Sequence, residues 1–322
     1  MTINRENIEI IPPKNQLNLF GYESYFNLFV KLFSKNRLPN TILLTGLKGS
    51  GKSTFAYHFI NYLLSNNEEK KYLLKNFTIN DDNKSYNFID KNIHPNFYLI
   101  ESSNNENIKI EEVKNTLKFL NKSSYNSNIK IVLIDNAEYL NLHSSNALLK
   151  SLEEPNNNTF FFIIHNSSCA ISNTLKSRCV EFKIFFSLDK KKEILRKIID
   201  TNNYDLDINF IEDNFYLDSP GNILKYLEIF NNLGVENSND KLSCISFLIE
   251  KYKKKKDSQL LNFISLLIEY FYNDLALKNY KKLNIYFHNK FKVLKLISEV
   301  KKFNLDKNNL FISIQSILKN ES

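Results

Sequence analysis

The chain has 322 residues, 43% of them hydrophobic, which is enough for two or three domains with real cores. Its net charge of +8 suggests an acidic partner, nucleic acid first, but Lys, Asn and Ile enrich the whole chain, so the charge marks no one surface. Three scattered cysteines (Cys169, Cys179, Cys244) give neither a disulfide framework nor a zinc site, no apolar run reaches the ~20 residues of a membrane span, and the polar N-terminus does not read as a signal peptide, so a cytoplasmic protein is expected.

In chain order, a short polar lead is followed by Leu19-Phe20-Gly21-Tyr22 and an amphipathic helix to about Asn36. Thr41 to Thr45 predicts a buried strand, and Lys52 to Leu64 a helix. Between them lies Gly46-Leu47-Lys48-Gly49-Ser50-Gly51-Lys52-Ser53-Thr54, a complete G-x-x-x-x-G-K-[ST] phosphate loop that takes three of the chain's 6 glycines. Glycines let backbone N–H groups crowd a phosphate, Lys52 adds charge toward the outer phosphates, and Ser53 offers a hydroxyl to Mg²⁺. Strand, loop and helix in that order are the context the motif requires, so a nucleotide-binding fold is expected.

Ser65 to Ile93 is polar and reads as a variable helix-loop insertion ended by His94-Pro95. Asn96 to Ile100 is a strand, Ile110 to Leu120 a helical stripe, and Ile131 to Ile134 a buried strand ending at Asp135. Ser144 to Glu154 is a helix stopped by Pro155, and Phe160 to Ile164 and Val180 to Ile184 are the last strands. Strands alternating with helices at this spacing predict a parallel α/β sheet. Leu188 to about Leu233 reads as a small helical unit whose last helix opens at Ser219-Pro220-Gly221-Asn222, Pro being favoured in a first helical turn. Residues 234–240 are the best linker, and only long helices follow. The expected division is therefore 1–186, 187–235 and 236–322. The Lys253–Lys256 run reads as a solvated helix edge. The segment Leu260 to Leu277 is apolar on more than one face and is expected to leave an apolar patch on the isolated chain.

Several residues are candidates for chemistry. Asp135 closes an apolar strand, where a phosphate-loop ATPase holds Mg²⁺ through an acid. Hydrolytic members of that class usually carry Glu at the next position to activate water; here it is Asn136, whose amide cannot accept a proton, so binding survives and hydrolysis is doubtful. Glu138 lies two residues further on and is expected on a different face. Asn166 follows a strand and is placed either to sense a γ-phosphate or as a plain loop residue. Arg178, in Ser177-Arg178-Cys179, is either a surface arginine or a finger for a neighbouring subunit's phosphates. His94, His143 and His165 lack metal-ligand spacing and read as structural. Nothing offers the paired carboxylates of a two-metal polymerase site.

Asp135-Asn-Ala-Glu-Tyr-Leu140, Ser145-Asn-Ala-Leu-Leu-Lys-Ser-Leu-Glu-Glu-Pro155 and Ser177-Arg178-Cys179, in this order and spacing, closely resemble the clamp-loader branch of the AAA+ ATPases, and more narrowly the delta-prime subunits of bacterial DNA polymerase III. His94-Pro95, Ile108 to Val113, Phe20-Gly21 and Ser219-Pro220-Gly221 are also similar to the family. The match covers about residues 15 to 230. The resemblance implies an AAA+ P-loop core, a helical lid and a helical collar that joins five subunits in an arc. Such an arc opens a sliding clamp and places it on primed DNA. It implies a stator whose Arg178 is catalytic in trans at the ATP site of an adjacent motor subunit. Its own site would take ATP with Mg²⁺ through Gly46, Gly49, Ser50, Gly51, Lys52, Ser53, Thr54, Asp135 and Asn166. The cysteine-free segment Ser65 to Ile93 stands where relatives carry a zinc module, so no zinc is expected. Lys225 stands near the lid arginine of the motors and is only a partial substitute, an ammonium lacking the guanidinium fork. The alternatives are an ATP-hydrolysing motor of the same complex, or a nucleotide-dependent interaction protein of DNA repair or recombination with the same core.

Overall fold

The computed structural model describes residues 9–102, 107–121, 129–156, 158–204, 218–232, 241–255, 258–303 and 307–319. Of the sequence expectations, the linker at 234–240 and Lys256 lie outside these residues. Among the described residues the chain divides into two compact units, one spanning 9–225 and one from 226 onward, the division falling inside one helix.

The first unit is built on five strands: β1 Thr41–Gly46, β2 Phe97–Glu101, β3 Lys130–Asp135, β4 Thr159–Asn166 and β5 Val180–Lys183. All are parallel, in the order β2-β3-β4-β1-β5. Every residue of β1 is buried, as a parallel strand covered on both faces requires. Period-2 alternation then divides the core. Ile42, Leu44, Ile131, Leu133, Phe160 and Phe162 point to one face, and Leu43, Val132, Ile134, Phe161 and Ile163 to the other.

The first face is covered by helices α1 (Glu23–Ser34) and α2 (Lys52–Leu64). Burial nearly all round α2 explains its apolar sequence, Phe55, Phe59, Ile60 and Leu63 all being inside. Phe26 of α1 meets five rings, Phe55, Phe59, Tyr62, Tyr72 and Phe77, at centroid distances of 5.1 to 6.2 Å. The opposite face is covered by α4 (Ile110–Asn121) and α5 (Leu142–Glu153). Asn141 caps α5 by accepting the Ser144 amide at 2.8 Å, and Pro155 forbids its continuation.

The polar stretch after α2 is more integrated than its composition suggests. It carries α3 (Lys84–Asp90), whose first turn is satisfied by Glu68, accepting the Lys84 amide at 2.8 Å, and by Asn83, accepting the Tyr86 amide at 2.8 Å. Tyr72, Ile79 and Ile89 from this stretch enter the core, and the Tyr72 hydroxyl meets Nδ1 of fully buried His58 at 3.0 Å. Downstream come α6 (Asn173–Lys176), α7 (Leu188–Thr201) and α8, which starts at Pro220 and runs to Asn232.

The second unit contains α9 (Lys241–Lys255), α10 (Ser258–Lys278), α11 (Leu283–Phe303) and α12 (Lys307–Lys319). Its buried residues include Leu248, Phe263, Ile264, Ile268, Val293, Phe311 and Ile314, and Tyr226 stacks on Phe263 at 4.6 Å. The expected apolar patch lies elsewhere than its sequence segment suggested. Leu260, Leu261, Leu267, Tyr270 and Phe271 of α10 are buried. The exposed apolar side chains among the described residues instead include Leu277, at the helix end, and Tyr280, Ile285, Phe287 and Phe291. Among the described residues no helix is long and apolar enough to cross a membrane.

Candidate nucleotide-binding site

The sheet register brings the candidate residues together. Gly46 at the end of β1 pairs with Asn166 at the end of β4, and β3 beside β4 ends at Asp135. The carboxyl edge of three adjacent strands thus faces a cavity of about 370 Å³ lined by the phosphate loop, Asp135, Asn136 and Asn166. Ligands of open α/β sheets enter at this edge.

Loop geometry follows from the glycines. Gly49 has φ +78° and Gly51 φ +90°, left-handed values that glycine adopts without penalty. Gly51 leads directly into the first turn of α2, so the loop's amides stand at a helix N-terminus. The Lys52 ammonium is nearly buried and donates to the carbonyls of Gly46 (2.9 Å) and Leu47 (2.7 Å). Burial lowers its pKa to about 8, against the opposing fields of Glu138 and Asp135. Ser53 Oγ donates to both carboxylate oxygens of Asp135, at 3.1 and 3.0 Å. Burial raises the Asp135 pKa, and the Ser53 bond works against that.

Asn136 adopts a left-handed conformation (φ 60°), which asparagine tolerates well, and the chain then turns through a short 3₁₀ segment, Ala137–Tyr139. This corrects the expectation for Glu138. The kink brings its carboxylate back to the site, where Oε2 accepts the Asn166 amide at 3.2 Å. The Asn166 side chain closes its own turn, its Oδ1 accepting the Ser168 amide at 3.2 Å.

Two segments already marked in the sequence brace the loop through contacts that the sequence did not specify. Tyr22, buried beside the loop, stacks on Phe55 with centroids 5.0 Å apart and donates from its hydroxyl to the Ser50 carbonyl at 3.0 Å. The start of α8 contacts the loop directly: Ser219 Oγ donates to the Lys48 carbonyl at 2.6 Å, and the Gly221 amide donates to the Gly49 carbonyl at 2.9 Å. Lys225 also lines the cavity.

Arg178 is not in this assembly. Its carbonyl accepts the Thr41 hydroxyl at 2.8 Å, which pins it at the opening end of β1. The phosphate loop leaves the other end, about 17 Å away at ~3.3 Å per strand residue, beyond the reach of one arginine side chain. His94 and His165 have local partners, His94 Nδ1 accepting the Asn96 amide at 3.1 Å and His165 Nε2 lying 3.1 Å from the Cys169 carbonyl. Among the described residues no group of three or more His, Cys, Asp or Glu is placed to hold a metal.

A family model described as DNA polymerase III, delta subunit, matches residues 21–186, more than half of the chain. The chain belongs to this family. Membership of the DNA polymerase III clamp-loader family fits the AAA+ P-loop arrangement just described and the helical C-terminal region. DNA polymerase III subunit gamma of Buchnera aphidicola subsp. Schizaphis graminum is 27% identical, over 95% of this chain and 89% of that protein. Subunit delta' of Pseudomonas aeruginosa is 28% identical over 48% of this chain and 45% of its own length. A crystal structure of a DNA polymerase III gamma subunit-related protein from Thermotoga maritima shares the fold, with TM-score 0.50 and 15% identity, covering 93% of this chain and 98% of that one. In this chain the phosphate loop, Asp135 and Asn166 line one cavity, and Arg178 is not among its lining residues.

Proposed function

We propose that this clamp-loader family member acts as a delta-prime-like stator, presenting Arg178 in trans to the ATP site of an adjacent motor subunit while a sliding clamp is loaded onto primed DNA. The observation that carries this reading is the position of Arg178. It is anchored at the opposite end of β1 from its own phosphate loop, so the phosphates it could stabilise belong to a neighbour. Asn136 at the position after Asp135 supports the same reading, since it supplies no base for the chain's own site.

The chain's own site fits a nucleotide. Loop amides at a helix N-terminus suit the phosphates, and Ser53 Oγ and the Asp135 carboxylate are two hard oxygen donors within 3.1 Å of each other, the donor chemistry Mg²⁺ prefers. Mg²⁺ would neutralise phosphate charge there. In this reading Mg·ATP binds for assembly, with slow turnover. The corresponding organisation is an AAA+ core over 1–186, a lid over 187–235 and a collar over 236–322 that joins the other subunits of a five-membered arc.

A second reading, an ATP-hydrolysing motor of the same complex, is favoured by one observation: Glu138 is held beside Asn166 and within the field of Lys52, where a carboxylate is available near the site despite Asn136. The deciding measurement is clamp- and primed-DNA-stimulated ATP turnover in the reconstituted complex. Arg178→Ala in this subunit alone is expected to cut turnover severalfold with assembly intact. Unchanged turnover would overturn the stator reading, and robust turnover by the isolated chain would favour the motor.

A further inference from the structure

We propose that Glu153 is a positioning residue for Arg178, fixing the guanidinium so that its end fork faces outward for an anion. The inference rests on the stator reading and adds to it a residue on a different element. Glu153 is the last residue of α5, and Arg178 follows α6, 25 positions later in the chain. Arg178 Nε donates to Glu153 Oε1 at 2.6 Å, and Nη2 contacts the same oxygen. Nη1 donates to the Thr174 carbonyl at 2.7 Å.

The shape of the guanidinium makes this pattern informative. It has five N–H donors in a rigid plane. The edge made of Nε and Nη2 is used by the carboxylate, and one donor of Nη1 by the carbonyl. One N–H on each Nη remains, leaving two donors for a phosphate or carboxylate. The backbone is held as well, through the Thr41 hydroxyl on the Arg178 carbonyl at 2.8 Å. Both the base and the tip of the side chain are therefore located by named partners.

Stability does not account for the pair. The side chains are 28% and 48% exposed, and ion pairs at such positions contribute little to folding. What the contacts do supply is direction, and a long flexible side chain otherwise loses rotamer freedom when it meets its target. Holding the fork in place beforehand leaves less to lose. Composition points the same way: the chain has only four arginines, Arg5, Arg37, Arg178 and Arg196, among 43 basic residues. At Arg178 the two-sided pattern of contacts is one that the single ammonium of lysine could not reproduce.

Two measurements test this, and they fail separately. In the isolated full-length chain, the arginine Nε–H region of an NMR spectrum contains few signals, and the one lost in Arg178→Lys identifies Arg178. Glu153→Ala is expected to shift that signal and speed its exchange with water, with the melting midpoint unchanged; an unmoved signal would overturn the contact. In the reconstituted complex, Glu153→Ala is expected to lower kcat for ATP about threefold, no more than Arg178→Ala does, with KM within twofold, and to have no further effect in the Arg178→Ala background. An equal loss in both backgrounds, or no loss while Arg178→Ala abolishes stimulation, would overturn the positioning role. If Arg178→Ala itself has no effect, the stator reading fails instead, whatever the NMR result.

Discussion

Ser219 Oγ donates to the Lys48 carbonyl at 2.6 Å, joining residues 171 positions apart and tying the start of α8 to the phosphate loop. The Gly221–Gly49 bond runs beside it at 2.9 Å. Both bonds use loop carbonyls and leave the loop amides for phosphate, so the contact supports binding without competing for it. Ser219→Ala removes one net hydrogen bond, worth roughly 0.5–1.5 kcal/mol, and is expected to weaken nucleotide binding about 2- to 10-fold in calorimetry. Gly221→Ala is expected to cost more, because its β-carbon would lie 2.7 Å from the Gly49 carbonyl oxygen, a backbone atom that cannot step aside alone.

Lys52 gives the site a pH dependence in the alkaline range. Its pKa in the fold, about 8, lies below the ordinary 10.5, so between these values the unfolded chain holds more protons than the folded one. The cost of burying the ammonium is fully present below pH 8 and is relieved as pH rises to 10.5, by up to about 1.4 kcal/mol per pH unit. Denaturant titrations should show this slope in the wild type and its loss in Lys52→Met. A phosphate ligand needs the charged form, so nucleotide affinity should fall as pH climbs above 8.

Acid acts through two histidines, His58 fully buried and His94 partly buried. Burial lowers the His58 pKa to about 3 and the His94 pKa to about 4, from the usual 6.5. Below pH 6.5 the unfolded chain takes up these protons first, so stability should fall as pH drops, by about 1.4 kcal/mol per pH unit for each histidine. Urea unfolding between pH 6.5 and 4.5 measures the slope, and His58→Gln should remove one histidine's share.

Phe26 is the test of the core beside the site. With no exposed surface and five aromatic neighbours, it leaves a cavity when truncated, and Phe26→Ala should destabilise the chain by about 3–5 kcal/mol. Thermal or denaturant melting would register the loss, and a change below 1 kcal/mol would contradict the packing described.

Phe291 is the opposite case. It is 73% exposed, so Phe291→Glu should change folding stability by no more than about 0.5 kcal/mol. Under the proposed collar role the same charge should disrupt co-elution with the other subunits. Full assembly by Phe291→Glu would remove this surface from the subunit interface.

Local chemistry made much of this molecule legible beforehand. Strand β1, the phosphate loop and α2 follow from a contiguous run in which apolar residues, positive-φ glycines and a helix former each dictate their own conformation. Asp135 was readable because it ends an apolar strand, and Pro220 because proline suits a first helical turn. The core contribution of Tyr72, Ile79 and Ile89 was hidden by their polar neighbours, since periodicity averages over a segment and a few buried side chains do not alter it. Glu138 was misplaced because one left-handed residue, Asn136, redirects the chain, and the spacing of letters carries no sign of φ. The Tyr22 brace on Ser50, the Ser219 contact with Lys48 and the hold of Glu153 on Arg178 join residues 25 to 171 positions apart. Such pairings depend on where the sheet order and helix packing bring two surfaces together. Sequence by itself determined the chemistry that each residue carries, and tertiary structure decided which of them meet, because hydrogen bonds and ion pairs act over a few ångströms and only the folded chain sets those distances.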